Sequence, residues 1–231
     1  MNKHILITFL IVFLISGCIQ KQYKGSSDLP RGFVYVEDII PDIKIDIRYA
    51  EDNNFIGKRI DGYVEPRCIL TAKAAYALKN VQEDLKKFGL SLKIFDAYRP
   101  QQAVDHFVRW SKNPVDNKMK KLYYPNVDKA DLIEQEYIAA ESSHTRGSAV
   151  DLTIVSLKDE NFELDMGTIY DFFDVKSSVY NKSLSQEQRS NRMLLNTLMA
   201  KHGFVYYDKE WWHFKLRKEP FPKTYFNFPV K

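Results

Sequence analysis

The chain has 231 residues, 34 basic and 30 acidic, for a net charge of +4, and 45% are hydrophobic. A charge so small and so evenly spread, with no arginine-rich tract, argues against nucleic-acid binding through a basic face. The apolar content suffices for one sizeable core, and two cysteines are too few for a disulfide framework.

Lys3 and His4 precede an apolar run from Ile5 to Ile15, interrupted at Thr8 and followed by Ser16-Gly17-Cys18. A basic start, a short apolar stretch and small residues before a cut describe a secretory signal peptide. The run is too short for a spanning helix, which needs about 20 apolar residues. Small residues directly before Cys18 resemble the lipobox of bacterial lipoproteins. Residues 1–17 are therefore expected to be removed and Cys18 to carry lipid; an ordinary signal peptide with an incidental cysteine is the alternative. Residues 18–30 then form the lipidated start and a polar tether, and 31–231 a single domain. The expected location is the cell envelope, anchored to a membrane and facing outside the cytoplasm. With Cys18 modified, Cys68 has no thiol left to pair with and reads as a small buried hydrophobe.

From Phe33 to Tyr49 the pattern alternates, most clearly at Ile43, Ile45, Ile47 and Tyr49, and predicts strands. Residues 71–88 read as a helix with Leu78, Val81, Leu85 and Phe88 on one face and Gly89 as its stop. Leu90 to Phe95 reads as a strand, and Pro100 suits the first turn of a helix reaching Trp110. Residues 111–137 are polar and irregular. Val150 to Val155 reads as a strand, and 156–184 as loop. Ser185-Gln186-Glu187-Gln188 fits a capping box opening a helix with Leu194, Leu195, Leu198 and Met199, stopped at Gly203. Phe204–Tyr207 and Trp211–Leu216 close the chain as a hairpin. This order argues for an α+β domain with a largely antiparallel sheet flanked by helices.

Chemistry concentrates in Ser142-Ser143-His144-Thr145-Arg146-Gly147-Ser148-Ala149-Val150-Asp151 and in Glu210-Trp211-Trp212-His213. Of five histidines, His4 leaves with the leader, His106 lies mid-helix without ligand-like spacing, and His202 sits at a helix end where the dipole favours it. His144, Asp151 and His213 remain as three candidate metal ligands, with Glu210 as proton carrier; an open hydrolytic zinc site needs such a set. Gly147 and Ser148 permit a tight turn that brings Asp151 back beside His144. Spacing leaves a second reading open: a hydrogen-bonded loop histidine, a strand-edge carboxylate, a half-buried hairpin histidine and a solvated Glu210. Glu210 and His213 would face opposite ways along a regular strand, so a shared site requires an irregularity near Trp211.

Further pieces occur in order: Arg48-Tyr49-Ala50, Asn54-Phe55-Ile56-Gly57, Asp61-Gly62-Tyr63, Asp96-Ala97-Tyr98-Arg99-Pro100, Met166-Gly167-Thr168 with Asp171, and the ending from Glu219-Pro220 to Phe228-Pro229-Val230-Lys231. Together with the two motifs they resemble the D-alanyl-D-alanine dipeptidases, the VanX type of zinc peptidase, over roughly Val36 to Lys231. The Ser-x-His-x-x-Gly-x-Ala-x-Asp and Glu-x-x-His motifs are shared with related carboxypeptidases. The arginine segment, the Met-Gly segment and the ending point more narrowly to the dipeptidases.

The resemblance implies one Zn²⁺ per chain on His144, Asp151 and His213, with Glu210 as base. It implies that Arg99 stabilises the oxyanion and that Ser142 and Asp171 hold the substrate's free ammonium group. Without it, Arg99 reads as a structural ion pair and Asp171 as an ordinary loop acid. The implied reaction is hydrolysis of the dipeptide D-Ala-D-Ala. An exported lipoprotein cannot destroy that dipeptide in the cytoplasm, so turnover or scavenging near the cell wall is the expected role. A metal D,D- or L,D-carboxypeptidase acting on longer wall peptides is the alternative. A non-catalytic dipeptide-binding lipoprotein is disfavoured by intact Glu210 and Arg99, and a structural zinc protein by the count of three ligands. No nucleic-acid or protein partner is implied.

Overall fold

The computed structural model describes residues 28–159 and 162–231. The expected signal peptide, the lipid-bearing Cys18 and most of the tether lie outside the described residues. Among the described residues no helix is long and apolar enough to cross a membrane.

Phe33–Tyr35 forms β1, which leads into a short helix α1, Val36–Ile39. The alternating stretch after it gives only a two-residue strand, β2 (Lys44–Ile45), before the chain coils into a 3₁₀ turn at Arg48–Ala50. The alternation is nevertheless a burial signal, because Ile43, Ile47 and Tyr49 are all in the core. Their period is supplied partly by turn geometry rather than by an extended strand.

β3 (Ile69–Thr71) pairs antiparallel with β1, and its last residue caps α2 (Ala72–Lys86) by accepting from the Ala74 amide. Leu78, Val81 and Leu85 are fully buried as the helical period requires, but Phe88 is 70% exposed. The helix ends before Phe88, and Gly89, at φ 71°, turns the chain into β4 (Leu90–Asp96). Phe88 thus lies past the helical register that would have carried it inward.

Pro100 sits at the N-cap of α3 (Gln101–Ser111). The 111–137 segment is not featureless: it holds a short helix α4 (Lys120–Tyr123) and buries Tyr123, Tyr124, Val127 and Leu132. β5 (Ala149–Ser156) follows, then a long loop and α5 (Gln186–Lys201), opened by the capping box at Ser185 and Gln188. Leu195, Leu198 and Met199 are buried and Leu194 partly so. β6 (Phe204–Tyr207) and β7 (Glu210–Leu216) form the closing hairpin.

The main sheet has the order β2-β4-β5-β7-β6. Only the β2–β4 pair is parallel, so the α+β architecture with a largely antiparallel sheet holds. α2 packs on β4, α5 on β6, and the two helices touch. β5 is central, and Ala149–Val155 are all buried. Its alternation puts Val150, Leu152 and Ile154 on one face and Asp151 and Thr153 on the other. Register then places Asp96 of β4 and His213 of β7 on either side of Asp151. Cys68 is buried and unpaired, as expected of a small hydrophobe.

The tail crosses behind this row. The Phe226 amide bonds the Thr145 carbonyl, and the Gln101 amide bonds the Phe226 carbonyl. Phe228 stacks on Tyr98 at 4.0 Å, and the Val230 amide bonds the Gly62 carbonyl.

Candidate active site

Ser142 opens a 3₁₀ turn, Ser143–Arg146, and its hydroxyl accepts from the His144 amide at 3.2 Å. Gly147 closes the turn at φ 76°, and a β-carbon there would run into the ring of Phe33. Glycine is thus required twice, for its backbone and for its bareness. The turn sets buried His144 beside Asp151, near the start of β5.

Three donor atoms converge. His144 Nε2 lies 3.0 Å from His213 Nδ1 and 3.2 Å from Asp151 Oδ1, and His213 Nδ1 lies 3.0 Å from that oxygen. His144 Nδ1 is 2.7 Å from the Ala97 carbonyl, which can only accept, so Nδ1 carries the proton and Nε2 presents a lone pair. His213 Nε2 faces Ser143 Oγ at 3.1 Å, leaving Nδ1 for the centre. Two neutral imidazoles so oriented would face a carboxylate with lone pairs only, an arrangement that a cation satisfies. Tetrahedral zinc, with bonds of about 2.0–2.2 Å to nitrogen and oxygen, spaces its ligand atoms by about 3.3 Å, close to the triangle present here. His144, Asp151 and His213 therefore fit a metal ion.

The Asp151 carboxylate is divided in its contacts. Oδ1 faces the two histidines, whereas Oδ2 accepts from the Tyr170 hydroxyl at 3.1 Å and lies 3.5 Å from Arg99. Arg99 is anchored by Asp96 at 2.8–2.9 Å, and its guanidinium lies over the Tyr49 and Phe107 rings. Asp96 in turn accepts from Tyr63 at 2.5 Å.

Glu210 is half-buried and lines the same cleft, of about 410 Å³, as His213, Arg99, Ser142 and Asp171. The required irregularity is present: Tyr207 pairs with Glu210, but Tyr206 pairs with Phe214, so residues 211–213 bulge out of the β6 ladder. Burial, reinforced by the charges of Asp151 and Asp171, raises the Glu210 pKa well above the ordinary range. Asp171 is buried at φ 59°, and its Oδ2 accepts from Tyr49 at 2.8 Å. Burial, with the charge of Asp151 adding to it, pushes Asp171 up to about 8.

Residues 30–231 match the peptidase family described as D-ala-D-ala dipeptidase. The chain belongs to that family. A D-alanyl-D-alanine dipeptidase of Enterococcus faecalis is 42% identical over 87% of this chain and 100% of its own length. One from Streptomyces coelicolor is 39% identical over 86% of this chain and 98% of its own. A solved LD-carboxypeptidase is more distant: 20% identical over 83% of this chain and 70% of that one, with a TM-score of 0.43.

Within this dipeptidase-family fold, all seven residues singled out for the site from the sequence, Arg99, Ser142, His144, Asp151, Asp171, Glu210 and His213, line one cleft. Sequence reasoning gave no role to Ser143, Asp96, Tyr63, Tyr49 or Tyr170. Ser143, Asp96, Tyr63 and Tyr49 sit inside the motif segments, which was the available signal; Tyr170, next to Asp171, had none of its own. His106 and His202 stay outside the site: His106 Nδ1 accepts from the Asp61 amide, and His202 contacts Asp84.

Proposed function

We propose that this chain is a zinc-dependent dipeptidase that hydrolyses D-Ala-D-Ala, working outside the cytoplasm from a lipid anchor on Cys18. The observation that carries the reading is the convergence of three metal-fitting donors with Glu210, Arg99 and Asp171 in one small cleft, in a member of this family.

His144 Nε2, Asp151 Oδ1 and His213 Nδ1 would hold the zinc. The ion supplies Lewis acidity, which makes water acidic enough to attack at neutral pH and polarises a carbonyl. The chain's own groups do the rest. Glu210 takes one proton from the attacking water and passes it to the amine nitrogen as the C–N bond breaks, so the hydroxyl stays on carbon and a proton goes to nitrogen. Arg99, fixed by Asp96, places positive charge where the carbonyl oxygen becomes negative. Asp171 and Ser142 bind the free ammonium group. An incoming cation would add an opposite charge beside buried Asp171, and this favours a substrate ending one residue before the scissile bond.

The apolar run and Ser16-Gly17-Cys18 support export and lipidation, and with them a role in turnover or scavenging of dipeptides near the wall. The test is the chain from residue 19 onward, assayed on D-Ala-D-Ala with and without chelator, beside Glu210→Ala. The expected result is loss of turnover in both cases, with zinc still bound in Glu210→Ala. Turnover surviving both would sink the mechanism. Cleavage of tripeptides and pentapeptides at comparable rates would move the chain to the carboxypeptidases. Fractionation that finds the native protein in the soluble cytoplasm with residues 1–17 attached would remove the envelope role.

A further inference from the structure

Tyr170 and Asp171 are consecutive, yet both side chains serve the same site. In extended chain, neighbouring side chains point to opposite sides. The left-handed turn at Asp171, φ 59°, breaks that rule: Tyr170 reaches Asp151, and Asp171 reaches Tyr49. Such a conformation costs a non-glycine residue energy and persists where the surroundings enforce it.

The hydroxyls form a chain. Tyr49 donates to Asp171 Oδ2 at 2.8 Å, and the Tyr170 hydroxyl lies 3.1 Å both from Tyr49 Oη and from Asp151 Oδ2. Tyr170 has one proton for two acceptors. It cannot turn away, because its ring stacks on Phe95 at 4.7 Å and meets Trp212 edge-on at 5.5 Å. Among the described residues the other donor near Asp151 Oδ2 is Arg99, at 3.5 Å and also paired with Asp96.

We infer that Tyr170 is a positioning residue that ties back the second oxygen of Asp151, so that one oxygen faces the metal, and that through Tyr49 it links the metal cage to the acid holding the substrate's ammonium group. The inference rests on the zinc reading above. It gives the two tyrosines opposite effects on metal retention. Tyr170→Phe keeps the ring and its packing but frees Asp151 Oδ2. Tyr49→Phe removes the competing acceptor and leaves the Tyr170 proton wholly to Asp151.

The experiment is zinc affinity by chelator competition for wild type, Tyr170→Phe and Tyr49→Phe, with circular dichroism to confirm folding and dipeptide KM measured alongside. Loss of an outer partner of a metal ligand typically weakens metal binding 10–100-fold, so Tyr170→Phe should bind zinc about tenfold more weakly. Tyr49→Phe should bind it at least as tightly as wild type while raising KM. Zinc affinity of Tyr170→Phe within about twofold of wild type, or an equal loss in both variants, overturns the inference alone. A wild-type chain that takes up no zinc overturns the metal reading and this inference with it.

Discussion

Replacing Arg192 with methionine tests how the Asp171 loop is held. Arg192 is 2% exposed, and among the described residues its hydrogen bonds go to backbone carbonyls. Its guanidinium donates to the carbonyls of Met166 at 2.7 Å, Ser178 at 2.6 Å and Lys176 at 3.1 Å, which bracket Asp171. Each bond to a charged donor contributes about 1.5–3 kcal/mol, giving about 6 kcal/mol for the set. Burial opposes the charge and lowers the pKa to about 10, worth about 3 kcal/mol in the other direction. The difference, about 3 kcal/mol, is the expected loss of stability in Arg192→Met, which roughly preserves the apolar stem. Urea denaturation should show the midpoint falling by about 1 M, and KM for the dipeptide should rise as Asp171 loses its frame. Arg192→Lys should recover only part, because a point charge cannot serve three carbonyls in a plane. A stability loss under about 1 kcal/mol with unchanged KM would refute the reasoning.

Gly147→Ala should lose about 3 kcal/mol of stability, from the left-handed backbone and the collision with Phe33, and should weaken zinc retention through the His144 turn; denaturation and chelator competition check both. Asp171, raised to about 8, holds a proton in the folded chain that the unfolded chain releases above its ordinary pKa. Stability of the metal-free protein should therefore fall, relative to Asp171→Asn, as pH rises from about 4 to 8. A difference between the two proteins that stays constant across that window would contradict the assignment. Phe88→Ser should change stability by less than about 0.5 kcal/mol, whereas Leu85→Ala should cost about 2–5 kcal/mol; paired melts separate the exposed position from the buried one.

Local grammar explains what could be read from the chain in advance. Ser185 and Gln188 announce their helix because a capping box is complete within four residues. The glycine after His144 and the alternation of β5 place His144 and Asp151 together without long-range knowledge. Glu210 and His213 can share a site only where the strand between them is irregular, so the bulge follows from their spacing. Other features depend on distant partners. Tyr49 and Asp171 are 122 positions apart, and nothing in the sequence near either names the other. Arg192 on a helix reads as a solvated charge until the carbonyls it serves are located. Tyr123, Tyr124 and Leu132 looked like part of a polar loop because burial there comes from tertiary packing rather than from a periodic face.

The tail that bonds Thr145 and Gln101 through Phe226, and Gly62 through Val230, has a consequence for biosynthesis. It braces the turn bearing His144 and the helix start just after Arg99, yet it is translated after both of them. Every reactive side chain leaves the ribosome before the segment that locks two of their supports. A nascent or prematurely terminated chain would therefore hold the full set of reactive groups without their final alignment. Full competence would arrive only with this segment, so proteolytic cleavage ahead of it would silence the molecule while leaving its reactive groups intact in composition.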